Sequence, residues 1–422
     1  MNDTIQKITD RYQSSDTLHD IREHAIADFR KLGVPTVKHE EWKYTRVGSL
    51  LQNPLEVQAP DQVSETDISQ FRLPGDAYEI FVINGKFSSG SAPEGMTVSS
   101  LGAEANGHFK NIIDKHLGTS SKYHPDGINA MNTAFADHGL FIFINKGKKI
   151  DKPVYIYYIN DNRQFPTLSL PRALVYVSAA AEVEISEHYV SLGQNDSFTN
   201  QVTEVVVEQD AIVNYYKIQN EGANASQVST TQFTQIGKAL TNATTISLSG
   251  NIIRNNLNMV MEAEYGESHM YGLYLLDGKT HVDNHTIVDN VMPNCFSNEL
   301  YKGIMDGEST GVFNGKIFVR KDAQKTNAYQ SNKNVLLTDT ASVNTKPQLE
   351  IFADDVKCSH GCTIGKLDEE ALFYLRARGI GEKSAKSLLL HAFAVDILDN
   401  IKSEPLREYV DKLISERLEF NF

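Results

Sequence analysis

Between residues 150 and 355 the chain is built from short runs rich in Val, Ile, Tyr and Thr, broken by Asn, Gly and Asp. Ala173–Val177, Glu182–His188, Val202–Val207, Ile212–Ile218, Thr244–Leu248, Leu257–Glu262 and His269–Leu276 read as strands. Several alternate apolar and polar positions, as strands with one buried face do. Helical spacing is absent across this stretch, which predicts one large all-β unit, either a sandwich or a stacked β-helix. No strict short repeat is visible, which weighs against the solenoid.

The flanks read differently. Leu18, Ile21, Ala25, Phe29 and Leu32 recur at helical spacing, predicting a helix over 16–32 capped by Ser15 or Asp16 and ended by Gly33 and Pro35. Residues 54–105 are mixed, with a strand at Ala77–Ile83, a tight turn at Asn84-Gly85, and then a helix at His108–Leu117. Beyond residue 365, Asp368 is placed to cap a helix ending near Arg378 and Gly379. A second helix should bury Ala385, Leu388, Leu389, Ala392 and Phe393, and a third Leu406, Tyr409, Val410, Leu413 and Leu418. The expected division is an N-terminal helical and mixed α/β region (1–150), a β core (151–365) and a C-terminal helical domain (366–422).

Composition changes this picture little. The 422 residues suffice for two or three domains, and 41% hydrophobic with 22% charged residues is ordinary for a globular protein. A net charge of −14 disfavours broad binding to nucleic acid or anionic membrane. Three cysteines make no disulfide framework. The polar start, with neither a signal-peptide core nor a membrane-length apolar run, leads to the expectation of a cytoplasmic protein.

Candidate chemistry falls in two rows. Cys358, His360 and Cys362 are spaced two apart, so on a strand they share one face. They combine soft and borderline metal ligands. Neighbours would lie about 6.6 Å apart, within reach of one ion, but the outer two about 13 Å apart unless Gly361 bends the chain. Three ligands are short of the usual four for zinc or an iron–sulfur cluster, so a second chain would complete the site. Buried, inert thiols are the plainer alternative. His281, Asp283 and His285 form the second row, whose plainer reading is a solvated polar face. His269 is weaker on the same ground, and His138 reads as structural or superficial.

Three other segments weigh against alternative functions or leave a choice open. Gly311–Lys316 fails as a phosphate loop, with one residue too few between its glycines and Ile317 where Ser or Thr is needed. Gly379–Ala385 resembles the turn of a helix-hairpin-helix DNA binder, but it stands alone in an acidic chain. The Glu40-Glu41-Trp42-Lys43-Tyr44-Thr45 segment offers the single Trp either as an interface anchor or, more simply, as packing.

The segment Asp354–Gly361 (DDVKCSHG), the Leu372–Ile380 block (LFYLRARGI), EEWKYT and Asn129–Val154 together resemble the SufB/SufD family of iron–sulfur cluster assembly scaffold subunits, on its D-type side. The resemblance covers most of the chain. It implies a mainly β fold with a right-handed parallel β-helix core over 151–365. It also implies a non-catalytic scaffold that pairs with a SufB-type subunit through the β-helices and docks a SufC-type ATPase through the C-terminal helices. Phe373, Tyr374, Arg376, Arg378 and Gly379 are the docking candidates. A transient cluster would be built at the shared interface, with His360 and Cys358 as interface residues and metal ligands and Cys362 in a minor role. No cofactor is expected to be held stably by the chain alone; reduced flavin is a further candidate in the complex. The stretch Ala328–Val335, where B-type chains carry an acceptor cysteine, has none, which favours a D-type chain. Homodimerisation in isolation is open, since related β-helix edges are nearly self-complementary. The competing class is a stand-alone metal-binding protein or metal-dependent enzyme using either row.

Overall fold

The computed structural model describes residues 3–51, 55 and 63–421; residues 54 and 56–62 of the mixed stretch lie outside them. Its centre is a parallel β-solenoid of about eight coils. Each coil contributes one strand to each of two sheets. Ser197–Val207, Ala225–Gln235, Ile252–Met261, His281–Asn290, Thr310–Val319 and Ser342–Ile351 stack in one sheet. Ile212–Asn220, Leu240–Ser249, Glu267–Leu276, Phe296–Met305, Asn327–Leu336 and Lys357–Gly365 stack in the other.

The repeat that sequence inspection does not find is present but uneven. Gln227 pairs with Ile253, a step of 26 residues, whereas Thr310 pairs with Ser342, a step of 32. Corners absorb the difference. The same corner in five of the coils holds Ala180, Asp210, Tyr265, Asn294 and Lys325 at positive φ, so its backbone turns left-handed without reserving the position for Gly.

Three apolar layers hold the solenoid. Inside it lie residues such as Ile185, Val213, Phe233, Met259, Phe313 and Ile317. Outside one sheet, Leu390, Ala394, Ile397, Leu406, Val410 and Ile414 of the C-terminal helices pack on Tyr216, Ile246, Leu273 and Ile304. Outside the other, Ile26 and Phe29 of the helix His19–Leu32, with Trp42 and Met131, pack on Phe198 and Val228. Strands covered on both sides read as apolar runs, which is why so many were visible in the sequence. Ala225–Gln235 was not, because its inward residues Gln227, Ser229 and Thr231 are polar yet buried. They join an internal network: Lys217 Nζ reaches Thr231 at 2.9 Å and Glu187 at 3.5 Å, and Glu187 also accepts from Tyr189 and Gln201.

Several expectations need correction. The first long helix begins at His19 after Leu18, which is left-handed and makes no side-chain cap; Ser15 instead accepts from Arg22. The helix Glu382–Leu398 buries Ala385, Leu390, Ala394, Ile397 and Leu398, and leaves Leu388 exposed. Its apolar residues surround the helix, so spacing alone could not choose the face. Tyr78–Ile83 pairs in register with Val154–Ile159, so one sheet takes strands from both sides of residue 150 without this bearing on the expected division there. Asp368 does cap Glu369–Ala377, accepting from the Glu370 and Ala371 N–H groups. Trp42 is buried, donating to Asp126 at 3.1 Å beneath the Arg254 guanidinium, so it serves packing.

The solenoid's two ends differ. At the first, Lys86–Gly90 and Met96–Ser100 run antiparallel onto the sheets and stop the parallel stacking. At the last, Ser342–Ile351 and Lys357–Gly365 end the two sheets together, and no described strand pairs beyond them.

Candidate functional site

Lys357–Gly365 forms that last edge. It pairs in unbroken register with Asn327–Leu336, setting Cys358 against Ala328, His360 against Gln330 and Cys362 against Asn332. Those three partners are buried in the interior, and Cys358 packs on the interior apolar cluster. The row therefore points along the inward face of the coil. Cys358 is half-buried, His360 and Cys362 exposed, because no further coil covers them. Burial pushes the Cys358 thiol up.

The unbroken register also means that Gly361, opposite Ser331, does not bend the strand. Cys358 and Cys362 stay about 13 Å apart by strand geometry. Among the described residues no group of three or more His, Cys, Asp or Glu is placed to hold a metal ion. The row can offer adjacent ligands, one or two at a time, to something completed from outside.

Beneath the row the interior is polar. Asn334 donates to Asn332 at 2.7 Å, Asn332 to the Tyr274 hydroxyl at 3.0 Å, and Gln330 to Glu299 at 2.7 Å. Burial lifts the Glu299 carboxyl to about 7. Glycines make room: a Cβ on Gly303 would meet the Tyr274 ring at 2.2 Å and one on Gly315 the Gln330 amide at 2.2 Å. Glu299 and Gln330 went unnoticed in the sequence because only the coil register brings them under His360. An isolated Glu or Gln in a strand carries no such signal.

The second row is neither a solvated face nor an open ligand set. His281, Asp283 and His285 face outward, yet Asp283 and His285 are buried under the Glu40–Thr45 segment. Asp283 accepts from Thr45 and, at 2.9 Å, from Arg254, and His285 lies 3.1 Å away. Burial works to raise the Asp283 carboxyl, but the His285 and Arg254 charges overcome it and hold it well below the usual range. Glu41 approaches His285 at 3.5 Å and is lowered to about 2, chiefly by that contact. Glu40 ties the same segment to Lys346 of the last coil at 2.5 Å. His269 pairs with Glu267 at 2.8 Å, and His138 is on the surface. Gly311–Lys316 lies within a strand.

At the C-terminal end, the helix Glu369–Ala377 has no buried residue. Phe373 and Tyr374 are strongly exposed, Arg378 lies over the Tyr374 ring, and Arg376 is 3.5 Å from Glu382. Gly379, at φ 88°, turns the chain into the next helix. No described helix is long and apolar enough to cross a membrane.

Comparison with known proteins matches residues 157–393 to the SufBD core domain of the SUF system for FeS cluster assembly, and residues 3–156 to the SufBD N-terminal region. The iron–sulfur cluster assembly protein SufD of Escherichia coli is 28% identical over 92% of this chain and 90% of its own. An iron–sulfur cluster assembly SufBD family protein of Synechocystis is 29% identical, over 91% and 87%. The chloroplastic protein ABCI7 of Arabidopsis thaliana is 26% identical, over 94% and 85%.

Proposed function

The chain belongs to the SufBD family of iron–sulfur cluster assembly proteins, and from that premise we propose that it is a non-catalytic scaffold subunit whose last coil meets a SufB-type partner. The observation that carries this reading is the bare last coil. It leaves Cys358, His360 and Cys362 largely uncovered on the inward face of a solenoid end with which no described strand pairs, and its ligands are too few for a closed site. A partner solenoid adding strands to these edges would satisfy their free backbone groups and supply the missing donors. Pro347 removes one donor from the Ser342–Ile351 strand, so the Lys357–Gly365 edge is the better template.

In this reading the nascent cluster is cargo at the joint. His360 and Cys358 contribute donors and Cys362 a lesser one, since cluster iron takes thiolate or imidazole ligands. The uncovered helix Glu369–Ala377, with Phe373, Tyr374, Arg376, Arg378 and the Gly379 turn, would dock a SufC-type ATPase, which supplies the ATP hydrolysis. Reduced flavin, if present, belongs to the assembled complex. Without the partner, a second copy of the chain is the alternative occupant of the same edges, since related β-helix edges are nearly self-complementary.

Anaerobic reconstitution with iron and sulfide tests the reading by absorbance and metal analysis, on the chain alone and with SufB-type and SufC-type partners. The expected result is a colourless lone chain, a cluster in the complex, and a lower yield with His360→Ala. Stoichiometric metal on the lone chain, unchanged by partners, would overturn it.

A further inference from the structure

His360 does not stand on an inert floor. The ladder stacks Glu299, Gln330 and His360 in one inward column, with successive strands about 4.8 Å apart. Gln330 is almost fully buried. Its amide nitrogen donates to Glu299 Oε2 at 2.7 Å, the orientation that an ionised Glu299, which can only accept, requires. Its carbonyl oxygen is buried and has no partner. Gly315, across the interior, leaves room for the amide alone, since a Cβ there would stand 2.2 Å from Gln330 Nε2. The amide is thus held from two sides with an acceptor unspent, and the next side chain in the column is the His360 imidazole.

We propose that Gln330, anchored by Glu299, presents its carbonyl oxygen to His360 and so fixes which ring nitrogen carries the proton. A buried acceptor left unpaired costs about 1–3 kcal/mol, so a ring N–H directed at it is favoured. The other ring nitrogen then keeps its lone pair directed away from the interior, where a soft or borderline cation or a cluster iron at the coil end can take it. Ligating histidines are commonly held this way, with the second N–H given to a carbonyl or carboxylate that sets tautomer and orientation. Gln330 and Glu299 are positioning residues here. The inference rests on reading His360 as a donor at the interface, but its test does not.

The test is a long-range ¹H–¹⁵N correlation spectrum of the full chain, labelled at histidine, freed of metal by chelation, at pH 8 where Glu299 is ionised. The His360 signal is assigned by its loss in His360→Ala. The expected result is a single tautomer in the parent protein. Gln330→Leu, which removes the acceptor, should return the ring to the mixture of a hydrated imidazole. Glu299→Gln keeps the shape but no longer dictates the amide's orientation, so it should also give a mixture, and it serves if Gln330→Leu fails to fold. A hydrated-imidazole mixture in the parent protein, or a spectrum unmoved by a folded variant, overturns the proposal. A fixed tautomer together with cluster yields indifferent to His360→Ala would uphold the positioning and retire the interface reading instead.

Discussion

His281-Val282-Asp283-Asn284-His285 and Cys358-Ser359-His360-Gly361-Cys362 are alike on paper. Each sets three ligand-type side chains on one face of a parallel strand. In the fold their circumstances are reversed. The first row faces out of the solenoid, yet its Asp283 and His285 are buried, because Glu41 and Thr45 lie over them and Arg254 pairs with Asp283. The second faces inward yet is largely exposed, because the stacking stops. Direction on a strand and access to solvent are separate properties. The second depends on what the rest of the chain lays over the face.

The comparison predicts opposite energetics. Asp283→Ala should be the most damaging change, because it leaves the buried Arg254 charge uncompensated; a loss of about 3–5 kcal/mol is expected in urea unfolding. If it costs less than about 1 kcal/mol, the first row is not the internal clamp described here.

The two buried carboxyls should also answer pH in opposite senses. Asp283 is held low, so its stabilisation is present above the ordinary carboxylate range and is lost only as pH falls through its depressed value. Glu299 is raised to about 7, so the folded state keeps a proton that the unfolded state gives up. Its contribution is favourable at low pH and fades as pH rises through 7. Glu299→Gln should therefore stabilise by up to about 3 kcal/mol at pH 8 and by much less near pH 5. Paired urea melts at the two pH values check this, and a gain independent of pH would count against it.

Smaller effects sharpen the contrast. Thr45→Val removes the hydroxyl shared by Asp283 and His281 and should cost about 1–2 kcal/mol. His360→Ala, on the exposed row, should cost about 1 kcal/mol in the same melts, because the buried Gln330 carbonyl loses its partner at the open coil end, while lowering cluster yield in the complex. Thiol titration should rank Cys362 first, the half-buried Cys358 next and Cys295 last, since Cys295 is buried and its thiol is pushed up to about 11. Adding a SufB-type partner should slow the first two and leave Cys295 unaffected.

Much of the architecture was legible. Runs such as Arg172–Val177 are covered on both sides, and their composition shows it. The polar strand Ala225–Gln235 was illegible because its inward groups are satisfied by hydrogen bonds to other coils, not by apolar contact. The coil period was hidden because corners differ in length while register is preserved. The Glu382–Leu398 face was misjudged because apolar side chains surround that helix.

By itself the sequence determined that the middle of the chain is β, that each row shares a face, and that the whole resembles SufBD proteins. It also supplied Asp368 as a helix cap and Gly379 as a turn. Only the tertiary structure decided which row is accessible, that Gly361 leaves the strand straight, and that Glu299 and Gln330 lie under His360. The reason is physical. Alternation along a strand is a local property of the backbone, whereas cover comes from Thr45 and Glu41, more than two hundred positions from Asp283, or from the stacking of coils ending at Gly365.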